Sequence, residues 1–181
     1  MKLSRRQFSL SGAALTLGFL LDGEILNITP AEAKARNLPL RILTEQDAAT
    51  LDQLGDAIVP GAAAAGLSRY IDHQLSVNPR DNLLILRYLR VNPPFDDFYI
   101  SSLRAFRRAT GGMKKILPDF ITVMMQKNPD GWTNAPPAPL FYFALRSDAI
   151  DVTYGTMAGF ERLDIPYMAH IEPARPWEVD T

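Results

Sequence analysis

Phe95-Asp96-Asp97-Phe98-Tyr99-Ile100-Ser101-Ser102-Leu103-Arg104-Ala105-Phe106-Arg107 carries the plainest periodicity in the chain. Phe95, Phe98, Tyr99, Leu103 and Phe106 recur at helical spacing, while Asp96, Asp97, Ser101, Arg104 and Arg107 fall on the other side. A helix with one apolar stripe and one charged face satisfies that pattern; a strand, with its period of two, does not. Gly111-Gly112 supplies the stop, since glycine enters the left-handed conformation that ends helices. Upstream, Pro93-Pro94 separates this helix from what precedes it.

Working outward, the same logic predicts helices on both sides. Thr44 is placed to cap a helix over 45–58, with Glu45 and Asp47 suited to its positive end and Leu51, Leu54 and Ile58 on one face. Val59-Pro60-Gly61 stops it. Leu67 to Leu75 reads as a second helix. A third is expected over Pro79 to Val91, where Leu83, Leu84, Leu86 and Leu89 form a wide apolar face. Downstream, Met113 to Gln126 is helical with Pro118 at its main start or at a kink, and Asn128-Pro129-Asp130-Gly131 is a turn. Leu140 to Val152 closes the series, with Leu140, Phe141, Ala144, Leu145, Ala149 and Val152 on one face. After Tyr154, Pro166, Pro173 and Pro176 with Phe160, Tyr167 and Trp177 make an irregular tail too apolar for disorder. No stretch alternates well enough for a strand. The expected fold is all-α: a single small domain over 44–177, of about six helices with an irregular C-terminal tail, entered through a connector at 34–43.

Residues 1–33 read differently. Ser4-Arg5-Arg6-Gln7-Phe8-Ser9-Leu10, followed by the apolar run Gly12 to Leu21, is the pattern of an export signal, and the paired arginines with Phe8 indicate the twin-arginine pathway. That route carries folded proteins. Ala31-Glu32-Ala33 and Ala33-Lys34-Ala35 are both small-x-small cleavage patterns, so the site of cleavage stays open. The competing reading is an ordinary N-terminal amphipathic helix. The apolar run is too short for a membrane span, which needs roughly 20 residues.

The composition limits the chemistry. A net charge of −1 gives no electrostatic case for nucleic acid. The chain has no cysteine, which removes disulfides, thiolate zinc sites, iron–sulfur clusters and covalently held haem. No glycine-rich nucleotide fingerprint, phosphate loop or nucleophile elbow is present. The histidines are His73 and His170, far apart, and neither has a second ligand at the spacing of a metal pair. His73 is expected to pack. His170, with Glu172 close by, could serve as a base, although i, i+2 side chains of an extended segment point to opposite faces. Asp52 and Asp56 at i, i+4 read as a mildly unfavourable exposed pair. Arg104, Arg107, Arg108, Lys114 and Lys115 form either a solvated face or a dock for an acidic partner. The aromatic tail either closes the core or forms an interface, for which Tyr154, Phe160, Tyr167, Met168, His170 and Trp177 are the candidates. No catalytic, cofactor-binding or metal-binding residue is assigned; the export signal is assigned to Ser4, Arg5, Arg6, Phe8 and Leu10.

Several of these segments form an ordered set. Leu43-Thr44-Glu45-Gln46-Asp47, then Leu51, Leu54, Asp56 and Ile58-Val59-Pro60, then Gly66 and Tyr70-Ile71-Asp72 with Gln74-Leu75 resemble the gluconate 2-dehydrogenase subunit 3 family. Tyr154-Gly155-Thr156, Gly159-Phe160-Glu161, Ile165-Pro166-Tyr167-Met168 and Pro176-Trp177 resemble the C-terminal signature of one of its branches. The resemblance implies a non-catalytic small subunit of a periplasmic sugar or alcohol dehydrogenase complex. Its partner would be a large FAD-binding subunit of glucose–methanol–choline type, with a cytochrome c subunit carrying haem as a further partner. It also implies a role for the signal: a flavoprotein that acquires FAD in the cytoplasm could be exported bound to this chain. The complex would then sit in the periplasm at the outer face of the inner membrane, attached indirectly or through an uncleaved signal. The alternatives are a stand-alone periplasmic enzyme or binding protein using the His170 tail, and a structural exported interaction domain.

Overall fold

The computed structural model describes residues 15–164, except 22, 112–115 and 117. The expectation of an all-α fold is corrected at once, because the first described elements are strands. β1 (Leu17–Leu21) and β2 (Glu24–Ile28) form an antiparallel hairpin in which Leu17 faces Ile28 and Leu21 faces Glu24. Gly23, at φ 85°, takes the left-handed conformation that tight hairpin turns need. Leu17 and Phe19 are buried while Leu20 is exposed, so a run that is apolar throughout alternates only once it meets a body to pack on. That body is the helix Leu67–Ser76: the Phe19 and His73 rings lie 5.1 Å apart, and His73 Nε2 is 3.1 Å from the Gly18 carbonyl oxygen.

The helix α1 (Pro30–Ala35) follows directly. Thr29 and Glu32 form a reciprocal capping box, Glu32 N donating to the Thr29 hydroxyl and Thr29 N to the Glu32 carboxylate, and proline occupies the first turn, where its missing N–H costs nothing. Lys34 then ties α1 to the body through Asp52 at 2.7 Å and the Ala63 carbonyl at 2.7 Å.

Thr44 caps α2 (Glu45–Ile58) as expected, with Asp47 completing the box, and Leu51 and Leu54 are fully buried. Asp52 and Asp56 do not form an idle exposed pair. Asp52 also receives Ser68 N and Oγ, while Asp56 receives the N–H groups of Gly61 and Ala63, so both shape the loop into α3 (Leu67–Ser76). Asp72 of α3 receives three consecutive N–H groups, from Arg41, Ile42 and Leu43, each at 2.9 Å. It thereby fixes the approach to Thr44. Asp72→Ala strands all three donors, but the N–H groups of Arg41 and Ile42 can be rehydrated at the surface. The expected loss in a denaturant titration is therefore about 2–3 kcal/mol rather than three full desolvation penalties.

The expected helix over Pro79 to Val91 shrinks to α4 (Ile85–Tyr88). Side chains claim backbone donors that a helix begun at Pro79 would use for its first i to i−4 bonds. Leu83 N donates to the Gln74 side chain, Leu84 N to Asn82, and Ile85 N to Asp148. α5 (Asp96–Thr110) follows the predicted period, with Phe98, Tyr99, Leu103 and Phe106 inward and Gly111 at φ 58° as the stop. Arg107 of α5 pairs with Asp47 of α2 at 2.8 Å. α6 is Pro118–Gln126. α7 (Ala138–Tyr154) is the axis of the domain, packing against α2, α3, α4, α5 and α6. The tail after Tyr154 is not wholly irregular: Thr156 caps a short helix, α8 (Met157–Arg162), which also packs on α7.

Candidate partner interface

α7 carries a polar centre that its apolar face conceals. Asp148 follows Ala144 and Leu145 by one turn and is 0% exposed. Its carboxylate receives the Tyr99 hydroxyl from α5 and the Ile85 N–H at the start of α4, the latter at 2.9 Å. Burial pushes the Asp148 carboxyl up to about 7, outweighing the two hydrogen bonds that favour its charge. Burial and the neighbouring carboxylate push the Tyr99 hydroxyl well above its ordinary range. With Tyr99 also fully buried, the pair is closed to a substrate and acts as a clasp between α4, α5 and α7. The sign of Asp148 in the sequence is a carboxylate set one turn after Ala144 and Leu145 of the apolar face.

On either side of α4, whose start is held by this clasp, apolar side chains reach solvent. Leu83 is 40% exposed, Tyr88 65% and Leu89 40%. Arg80, Arg87 and Arg90, close to them in sequence, are exposed as well, and the Arg87 guanidinium lies 5.8 Å from the centre of the Tyr88 ring. Leu83 and Tyr88 form one wall of a hollow of about 430 Å³, completed by Leu15, Tyr70, Asp151 and Gly155. Burial raises the Asp151 carboxyl above the usual carboxylate range. Apolar and aromatic groups rimmed by arginine have the composition of the centre of a protein contact rather than of ordinary surface.

Of the interface residues expected from sequence, Tyr154 ends α7 beside Gly155 and is half-buried, packed on the core. Phe160 lies on α8 and is also half-buried. Tyr167, Met168, His170 and Trp177 lie outside the described residues, as do Ser4, Arg5, Arg6, Phe8 and Leu10. Leu83, Tyr88 and Leu89 were absent from that expectation because a regular helix over 79–91 would have turned Leu83 and Leu89 inward. His73 packs as expected, buried against Phe19 and bonded to Gly18, and burial lowers its pKa. The basic cluster is divided, since Arg107 is paired with Asp47 and Arg108 donates to the Thr133 carbonyl; Lys114 and Lys115 lie outside the described residues.

Among the described residues, no three His, Cys, Asp or Glu side chains stand close enough together to hold a metal ion. No described helix is long and apolar enough to cross a membrane. No family model, curated protein or solved structure matches the chain.

Proposed function

We propose that this protein is a non-catalytic small subunit that escorts and stabilises the large, FAD-binding subunit of a periplasmic sugar or alcohol dehydrogenase. The observation that carries the reading is the exposed Leu83–Tyr88–Leu89 surface with its three arginines, held out by a rigid internal clasp. Such a surface gives a partner an apolar anchor and a charged rim. The ordered resemblance of 43–75 and 154–177 to dehydrogenase small subunits gives that partner its class, and the twin-arginine pattern at 4–10 gives the pair a route out of the cytoplasm. FAD belongs to the large subunit, and haem c to a cytochrome that accepts its electrons. In this reading the chain contributes binding and export, and the reaction takes place on its partner.

The test is co-expression with the large flavin subunit followed by purification through a tag on this chain. The wild-type protein should come off the column yellow, with flavin in fixed ratio. Tyr88→Ala combined with Leu83→Ser should weaken the complex roughly tenfold or more, as removal of a central anchor does. Both residues are solvent-exposed, so the variant should fold normally by circular dichroism. A double variant that retains flavoprotein with undiminished affinity would remove this surface from the interface.

A further inference from the structure

A second concavity, lined by different residues, lies between α1, the loop before α3, and the junction of α7 with α8. It measures about 460 Å³, within the range of small-molecule sites. Pro30, Ala31, Ala64, Ala65 and Val152 give it an apolar lining. Glycines shape it closely. A Cβ on Gly66 would sit 2.3 Å from the Pro30 backbone, and one on Gly159 would sit 2.4 Å from the Tyr154 Cα, so the walls meet backbone to backbone.

Two polar features break the apolar lining. Arg162 of α8 reaches the groove, and its guanidinium rests over Gly61: a Cβ there would lie 2.6 Å from both terminal nitrogens. Gly61 thus leaves the space the guanidinium occupies. Among the described residues the ion pairs are Lys34–Asp52 and Arg107–Asp47, so Arg162 is not neutralised by a carboxylate there. Thr153, 2% exposed, also lines the groove, and its buried hydroxyl has no hydrogen-bond partner among the described residues. A buried, unpaired hydroxyl costs free energy that a ligand oxygen could recover.

We propose that this groove binds an amphiphile with a single anionic head, an alkyl carboxylate whose chain lies along Pro30, Ala64, Ala65 and Val152 while Arg162 holds the head. The guanidinium is suited to a carboxylate because its paired N–H groups match both oxygens. Thr153 supplies a further polar contact within the apolar lining. The site is separate from the Leu83–Tyr88 surface and does not depend on the proposed dehydrogenase partner.

Calorimetric titration of the full chain tests this, with decanoate as the probe and decanol as the uncharged control, both below their aggregation concentrations. Decanoate should bind saturably at one site, and decanol at least tenfold more weakly. Arg162→Gln should weaken decanoate about tenfold and leave decanol unchanged, the loss expected for one charge-assisted contact. Ala64→Phe, at an exposed position, should fill the groove and abolish binding of both without changing the thermal melt. The proposal is overturned if decanoate does not saturate, if decanol binds equally well, if Arg162→Gln has no effect, or if binding survives Ala64→Phe and so lies elsewhere.

Discussion

Asp148→Ala is expected to destabilise the protein by about 3–5 kcal/mol, the scale of breaking a buried polar network. The carboxylate is fully buried and is the acceptor for both the Tyr99 hydroxyl and the Ile85 N–H. Truncation leaves those donors unpaired inside the domain and adds a small void. For a chain of this size the midpoint of thermal unfolding should fall by roughly 10 °C. Asp148→Asn keeps an acceptor and nearly the same shape, so it should lose much less.

The same residue imposes a pH dependence. Its carboxyl titrates at about 7 in the folded protein, against roughly 3.9 when unfolded. Between those values the folded chain holds a proton that the unfolded chain has released. The contribution of Asp148 is therefore complete below pH ~4 and is lost as pH rises through about 7. His73 works in the opposite sense: burial depresses its pKa, so its contribution is lost as pH falls from the ordinary imidazole range. Glu32 and Asp47, whose pKa values are lowered, add stability that fades only in stronger acid. Subtracting the Asp148→Asn curve from the wild-type curve removes those shared terms. The difference should favour the wild type most at acid pH and shrink towards neutrality. A flat difference would show that burial does not shift the Asp148 carboxyl between the folded and unfolded chain.

Where the chain followed its local rules, its structure was legible in advance. Thr44 capped the helix it was expected to cap, and Phe98, Tyr99, Leu103 and Phe106 turned inward at their spacing. The failures fall where side-chain bonds and packing outside the periodic pattern decide the structure. Gly12 to Leu21 shows no alternation because both faces are apolar; only packing against His73 and the rest of α3 decides which residues of β1 are inside. Ile25 of β2 stays 70% exposed, so that strand offers little pattern either. The helix over 79–91 failed because Gln74, Asn82 and Asp148, the last some sixty positions away, take its first N–H groups. The exposed Leu83–Tyr88–Leu89 surface follows from that same capture, so the candidate interface was no more legible than the break that creates it.

The hairpin also bears on the proposed export signal. A cut after Ala33 would remove β1, β2 and most of α1, including the buried side chains of Leu17, Phe19 and Ile28. It would leave Lys34, which bonds to Asp52 and Ala63, close to the new terminus. Retention of the hairpin and its removal are therefore distinct states of the protein, separable by the mass of the mature chain.

In the proposed escort role, Arg5 and Arg6 serve a second protein as well as their own chain. Changing both to lysine keeps their charge and removes the paired guanidinium groups that the twin-arginine address consists of. In cells expressing this chain with the proposed large flavin subunit, the variant should shift dehydrogenase activity and bound flavin from the periplasmic to the cytoplasmic fraction, with total flavoprotein unchanged. Undiminished periplasmic activity from the twin-lysine variant would contradict the escort role outright.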